Sequence, residues 1–257
     1  MHFFIKTKRN SFFIVMLLFA SVCPSFSQEQ KLVDPNSIGW FVYTGTFKLK
    51  SHLAIHTEYQ WRRVHGIIQT QQNLFRTGIQ FAIHPLVSLN AGYAFVETYP
   101  YGDYPNEFAF PEHRLYQQVV LKNPVGMMDL SHRFTLEQRN VGKVTTQNGP
   151  GNIDWIFLNR MRYRVRAEVP VYKKALSFIV MDEIFIGWGG GLGINVFDQN
   201  RLAILLGYKI NPQIKIEAGY LNQILQQGKR VNDLPVFQHN TGFLLSSHFN
   251  VDWSKRK

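Results

Sequence analysis

The stretch "RMRYRVRAE" at residues 160–168 places an arginine at every second position over four steps. On a helix, side chains two positions apart point about 200° from one another, so these arginines would leave no apolar face to bury. On a strand, the same residues separate into a basic face and a largely apolar face. The stretch therefore predicts a β-strand whose charged face carries Arg160, Arg162, Arg164 and Arg166.

The same alternation of polar and apolar residues recurs along the chain. It is strong at 53–63, 73–83, 128–139 and 214–223, and weaker at 38–48, 87–98, 112–122, 176–186, 201–210 and 239–251. Most of these segments have about 9–12 residues, the length at which a tilted strand crosses the hydrocarbon of a bilayer.

The connections between these segments are alternately short and long. The short ones are 50–52, 84–86, 123–126, 170–175 and 211–213; the long ones are 64–71, 99–111, 140–155, 187–199 and 224–237. Short turns at one end and long loops at the other are typical of outer-membrane barrels, and a soluble β-sandwich is the alternative. We predict an all-β fold, an antiparallel transmembrane β-barrel of about 10–12 strands. If both ends of the chain lie in the periplasm, the barrel needs an even number of strands. That number is ten if 38–48 does not span the membrane, and twelve if a further strand exists.

Opposite charges lie two positions apart on several predicted strands, as at Glu112 and Arg114 or Glu137 and Arg139. On a water-facing sheet such pairs contribute about 0–1 kcal/mol. In a narrow lumen, guanidinium groups can meet carboxylates of neighbouring strands in bidentate geometry. We therefore predict a charged and largely filled lumen, formed by Glu58, Arg62, Arg76, Glu112, Arg114, Arg133, Glu137, Arg139, Arg160, Arg162, Arg164, Arg166, Glu168, Glu183, Arg201, Lys215 and Glu217.

Residues 1–27 have the features of a secretory signal peptide: basic residues, an apolar run at 12–20, and small residues before Gln28. The apolar run is too short for a spanning helix of about 20 residues. A lipoprotein signal at Cys23 is the alternative, but the preceding Val22 is bulkier than such sites usually accept. The predicted organisation is a signal peptide (1–27), an N-terminal extension (28–37), the barrel (38–253) and a basic C-terminal tail (254–257).

The chain has 257 residues and a formal net charge of +11 at pH 7. Cleavage after Ser27 would leave 25 basic and 17 acidic residues, a net charge of +8, and no cysteine. A basic exported protein does not ordinarily meet nucleic acid, so the excess charge is expected to face loops, water or anionic lipid. We expect a monomer in the bacterial outer membrane, with outer-membrane lipid as its partner and lipopolysaccharide as a further candidate.

Aromatic residues lie mostly near predicted strand ends or loops, where outer-membrane barrels carry aromatic girdles. Ordinary β-propensity accounts for part of this distribution. The residues in question are Trp40, Tyr43, Tyr59, Trp61, Tyr93, Tyr99, Tyr101, Tyr163, Trp188 and Trp253.

The chain resembles a family of uncharacterised bacterial outer-membrane barrel proteins that carry a domain-of-unknown-function label. The matching pieces cover nearly all of the chain after residue 27. The resemblance implies an outer-membrane location and no established activity. In order, the pieces are "TEYQWR" (57–62), "LFRTGIQF" (74–81), "AGYAF" (91–95), "EHRLYQQ" (112–118), "RFTLEQR" (133–139), "NRMRYRVRAE" (159–168), "DEIF" (182–185), "FDQNRL" (197–202) and "EAGYLNQ" (217–223).

Signatures of catalysis and of cofactor binding are missing from the sequence: it has no G-x-S-x-G elbow, no H-E-x-x-H helix and no phosphate-binding loop. We predict no cofactor, no metal and no catalytic residue. The best enzyme candidate is His113, which alternation points toward lipid or the interface and for which no serine partner can be nominated. Asp182 and Asp198 could bind Ca²⁺ through oxygen ligands, but we expect them to cap loops.

Three functions are compatible with these features. The leading hypothesis is an outer-membrane barrel of unestablished activity, structural or surface-interacting through its loops, with its lumen plugged by an Arg/Glu network. A lipid-modifying enzyme, either a hydrolase or an acyltransferase, is the first alternative. A narrow, anion-preferring channel is the second, although such a barrel has a much narrower bore than open porins.

Overall fold

Eleven strands close into a barrel in the computed structural model, which describes residues 30–145, 152–172 and 175–254. In these ranges no helix is long and apolar enough to cross a membrane. The predicted signal peptide lies outside the described residues, and so does all of the basic tail except Ser254. The strands are β1 (Leu32–Lys50), β2 (Leu53–Val64), β3 (Gln69–His84), β4 (Val87–Thr98), β5 (Phe110–Val125), β6 (Met128–Thr145), β7 (Asn152–Tyr172), β8 (Leu176–Trp188), β9 (Phe197–Lys209), β10 (Ile214–Val231) and β11 (Leu234–Asp252).

Each strand pairs antiparallel with its sequence neighbours, and the barrel is closed by a parallel pair, β1 with β11. The predicted all-β barrel is confirmed, but the expectation of an even strand number is wrong. A parallel closing pair permits an odd number, because β1 and β11 then begin at the same end of the barrel. The segment 38–48, whose role was open, lies inside β1, which begins at Leu32 within the stretch assigned to an N-terminal extension.

The two ends of the barrel differ in their connections. One end, called the turn end, carries the connections at 51–52, 85–86, 126–127 and 210–213, together with the end of β7 and the start of β8. The other, called the loop end, carries those at 65–68, 99–109, 189–196 and 232–233, together with the end of β6 and the start of β7. Two connections that the sequence predicts to be long, 64–71 and 224–237, are shortened to 65–68 and 232–233 because the flanking strands extend into them. The strands have 12 to 21 residues and extend past the apolar alternation, because polar residues continue the backbone pairing.

The barrel places apolar side chains outside and charged side chains inside. Ile79 and Leu115, on the outer face, are 61% and 57% exposed, whereas Arg160 and Glu137, on the inner face, are 3% and 2% exposed. A soluble sandwich would bury the apolar face instead.

Two aromatic residues assigned to the girdles lie elsewhere. Trp40 and Tyr101 are both buried and belong to one apolar cluster with Ile38 and Val64. Trp40 is on the inner face of β1, and Tyr101 reaches that cluster from the 99–109 loop. Trp61 and Trp188 are exposed, as expected.

Candidate functional site

The carboxylates that face Arg160 and Arg162 of "RMRYRVRAE" come from three other strands. Arg160 is 2.5 Å from Glu137 of β6 and 2.5 Å from Asp198 of β9. Arg162 is 2.6 Å from the other oxygen of Glu137 and 2.9 Å from Glu183 of β8. Arg133 of β6 is 2.7 Å from that same Glu183 oxygen. The result is a continuous chain of ion pairs on the inner face of β6–β9, called the central chain: Asp198–Arg160–Glu137–Arg162–Glu183–Arg133.

The central carboxylates of this buried chain are each shared between two guanidinium groups. A buried charge without a partner carries a large desolvation cost, and one ion pair often fails to offset it. In the central chain, Glu137 and Glu183 each accept from two guanidinium groups. Hydrogen bonds between charged groups are about twice as strong as neutral ones. The central chain therefore holds β6, β7, β8 and β9 together through their side chains.

A second cluster lies nearer the turn end. Arg166 is 2.8 Å from Glu168 and 2.7 Å from Glu217, and Lys215 is 2.6 Å and 2.9 Å from the same two carboxylates. His248 of β11 lies 3.3 Å from Glu217. These contacts join β7, β10 and β11 across the lumen.

Two smaller groups of ion pairs also lie in the interior. Glu112 accepts from Arg114 and Arg139, each at 2.5 Å. Glu58 is 3.4 Å from Arg76 and 3.4 Å from His56. In these groups, too, each carboxylate meets two basic side chains.

Three arginines of the predicted lumen set have no carboxylate within ion-pair distance among the described residues. Arg164 contacts the Met181 sulfur at 3.6 Å. Arg62 donates to Gln60 and Gln72, and Arg201 donates to Gln199 at 3.0 Å. The other fourteen members of that set form ion pairs with one another or with Asp198, His56 and His248.

Asp198 and Asp182 do not cap loops, contrary to the expectation from the sequence. The pairing of β8 with β9 shifts between Phe185 and Ile186, which leaves Asp198 as the extra residue of a β-bulge and turns it inward to Arg160. Asp182 lies within β8 on the outer face, where it accepts from Asn200 at 3.0 Å. Among the residues that the structure describes, no group of three or more His, Cys, Asp or Glu side chains could hold a metal ion.

His113, the enzyme candidate, is exposed on the outer face of β5. Its Nδ1 lies 2.6 Å from the Tyr93 hydroxyl, and its ring packs against those of Phe95 and Trp155. Neither a serine nor an acid appears among these contacts, so the described surroundings of His113 do not form a catalytic triad.

The 99–109 loop folds into the mouth of the barrel. The Tyr101 hydroxyl accepts from Gln71 at 3.0 Å and from Asn240 at 3.1 Å, and burial raises the pKa of this phenol, which stays protonated. Gly102 has φ +79° and lies so close to Asp34 that a side chain would collide with its carboxylate. The sequence did not indicate this inward path, because aromatic residues in a loop are equally compatible with a position in the girdle at the membrane interface.

A cavity of about 560 Å³ lies between this loop and the central chain, at the loop end of the barrel. It is called the cup. Its floor includes Arg62, Arg201 and the Arg160–Asp198 pair, and its rim includes the exposed Glu107 and Lys143. A volume of this size is in the range of small-ligand pockets, about 300–1,000 Å³.

Comparison with known proteins gives the chain a family. Residues 38–234, from β1 to the first residue of β11, match DUF2490, described as a protein of unknown function. The chain belongs to the DUF2490 family. This membership agrees with the resemblance to an uncharacterised barrel family. A search of curated proteins finds no match. Membership of DUF2490 therefore implies no particular activity for this chain.

Proposed function

We propose that this protein is a closed, monomeric β-barrel of the bacterial outer membrane, exported by a cleaved signal peptide, which acts as a structural or surface-interacting protein through its loop end. The observation that carries the proposal is the distribution of side chains, apolar on the outer wall and ion-paired inside. Outer-membrane lipid is the proposed partner of the wall, and lipopolysaccharide is a candidate for its outer leaflet.

The outer wall supports a lipid environment in two ways. Large apolar side chains are exposed on every strand, a continuous surface far larger than a soluble monomer tolerates. Polar side chains on this wall also pair with one another. Gln117 and Gln138 bond reciprocally at 3.1 and 3.2 Å, and Asn222 donates to Thr241 at 3.1 Å. Such pairing is what a surface without water requires.

We expect the protein to co-fractionate with outer membranes and to migrate faster on a denaturing gel when it is not boiled, because a closed barrel resists detergent. The measurement is membrane fractionation followed by gel electrophoresis of boiled and unboiled samples. A soluble periplasmic protein whose migration does not change on boiling would contradict the proposal.

The interior supports a barrel that does not conduct. The central chain links β6, β7, β8 and β9 through contacts of 2.5–2.9 Å, and the second cluster links β7, β10 and β11 through contacts of 2.6–3.3 Å nearer the turn end. Arg76 and Tyr116 fill further space on the β3–β5 side, where the guanidinium lies 5.1 Å from the ring centroid. An ion that passed through the barrel would have to pass the paired charges of the central chain and of the second cluster.

We expect no steady conductance from the purified protein in planar bilayers, with an open porin as the positive control. The double substitution Glu137→Ser with Arg162→Ser should produce ion steps. This double substitution removes one anion and one cation, so the net charge of the lumen is unchanged. The ion pairs Arg160–Asp198 and Arg133–Glu183 remain. Steady steps from the wild-type protein would instead favour the channel hypothesis.

No specific observation favours the enzyme hypothesis. The aromatic surroundings of His113 and the outward position of Asp182 offer no combination of nucleophile, base and acid in the part of the chain described.

A further inference from the structure

Two guanidinium groups at the floor of the cup lie against one indole ring. The carbon atom at the centre of the Arg62 guanidinium is 3.9 Å from the centroid of Trp40, and that of Arg201 is 4.9 Å from it. Neither has a carboxylate within ion-pair distance among the described residues, and both donate only to glutamine side chains. By contrast, six interior glutamates each lie within ion-pair distance of at least two basic side chains: Glu58, Glu112, Glu137, Glu168, Glu183 and Glu217. The two guanidinium groups on Trp40 therefore have no direct counter-ion among the described residues.

The groups that hold these arginines are neutral. Gln199 accepts from Arg201 and from Gln223, and Gln223 accepts from Asn240 at 3.0 Å. On the other side, Trp40 donates to Gln71 at 2.7 Å. Amides of this kind fix the position of a guanidinium without neutralising it. The charge stays available to an anion that enters the cup.

The whole cup is electropositive. Seven Lys and Arg side chains line it, against three Asp and Glu side chains. One of those acids, Glu112, is already shared by Arg114 and Arg139, and another, Asp198, is held by Arg160. A cationic ligand would be repelled by this floor, whereas an anion would gain charge-assisted hydrogen bonds.

One wall of the cup is apolar. The inward-facing residues Val141 of β6, Ile156 and Leu158 of β7 and Leu225 of β10 line it, with Leu192 from the 189–196 loop. A small hydrophilic anion would bury no apolar surface against such a wall. A basic floor below an apolar wall fits a molecule with an anionic head and a hydrocarbon tail.

We propose that the cup binds a single-chain anionic amphiphile. Its carboxylate or phosphate head lies on Arg62 and Arg201, and its tail lies along Val141, Ile156 and Leu158. A volume of about 560 Å³ suits one such molecule. This binding site goes beyond the proposed structural role and does not depend on whether the barrel conducts.

The test is native mass spectrometry of the full barrel in a neutral detergent, titrated with four probes: hexadecanoate, hexadecan-1-ol, hexadecyltrimethylammonium and acetate. We expect one hexadecanoate per chain and much weaker binding of the other three. Arg201→Gln and Arg62→Gln should each weaken hexadecanoate binding about tenfold, since each removes charged hydrogen bonds to the head.

Arg230→Gln is the matched control, because Arg230 is an exposed arginine at the same end that does not line the cup. It should bind hexadecanoate as the wild type does. Equal binding of the alcohol would overturn the role of the arginines, and equal binding of acetate would overturn the role of the wall. Absence of hexadecanoate binding would overturn the proposal outright. If either glutamine variant fails to fold, the wild-type series of four probes still decides.

Discussion

Glu137→Gln is expected to lower the free energy of unfolding by about 3–5 kcal/mol, the usual cost of breaking a buried ion pair by removing one partner. Glu137 bridges Arg160 and Arg162 with contacts of 2.5 and 2.6 Å. The amide keeps the shape of the side chain but offers one acceptor and no charge, so two buried guanidinium groups lose their shared counter-ion. Denaturant titration of the barrel folded into phospholipid vesicles, followed by tryptophan fluorescence, measures the change.

Glu107→Gln is the control for this substitution, because Glu107 is an exposed acid in the 99–109 loop. Its free energy of unfolding should stay within about 0.5 kcal/mol of the wild type, as for most surface substitutions. A similar small change for Glu137→Gln would show that the central chain does not stabilise the barrel.

Leu115→Arg is expected to destabilise the folded barrel by about 2–4 kcal/mol, the cost of an arginine facing the middle of a bilayer. Leu115 lies on the outer face of β5, between Tyr93 of β4 and Gln138 of β6. In a water-soluble barrel the same substitution would replace an exposed leucine with a well-solvated side chain at little cost. The effect therefore separates a lipid-facing wall from a water-facing one, and the same vesicle titration measures it.

Met127→Arg provides the comparison, because Met127 is exposed in the connection between β5 and β6 at the turn end. An arginine there reaches the aqueous interface, where the cost falls to about 0–1 kcal/mol. If Leu115→Arg and Met127→Arg had equal effects, the outer wall would not lie in a bilayer.

Much of the barrel follows from alternation alone. A period of two residues assigns every second side chain to one face, so "RMRYRVRAE" was enough to place four arginines on the inner face of β7. The same rule placed Glu112 and Arg114 inside and His113 outside. The alternation of apolar outer residues with charged inner residues was enough to predict an all-β barrel.

Three features of the structure could not be predicted from the sequence, each for a physical reason. The bulge between β8 and β9 moves Asp198 to the inner face, which a strict period of two does not allow. The parallel closure of β1 on β11 depends on backbone pairing between opposite ends of the chain. The inward path of the 99–109 loop depends on hydrogen bonds that Gln71 and Asn240, on distant strands, donate to the Tyr101 hydroxyl.

The sequence by itself determined which side chains of the regular strand segments face inward, because the pleat of a strand leaves each residue only two directions. Only the tertiary structure decided what those side chains meet, because strand register and barrel closure set the distances between charges far apart in the chain. Arg160 and Arg162 could be placed inside from their spacing. Their pairing with Glu137, Asp198 and Glu183, and the absence of such a partner within ion-pair distance of Arg62 or Arg201 among the described residues, came from the closed barrel.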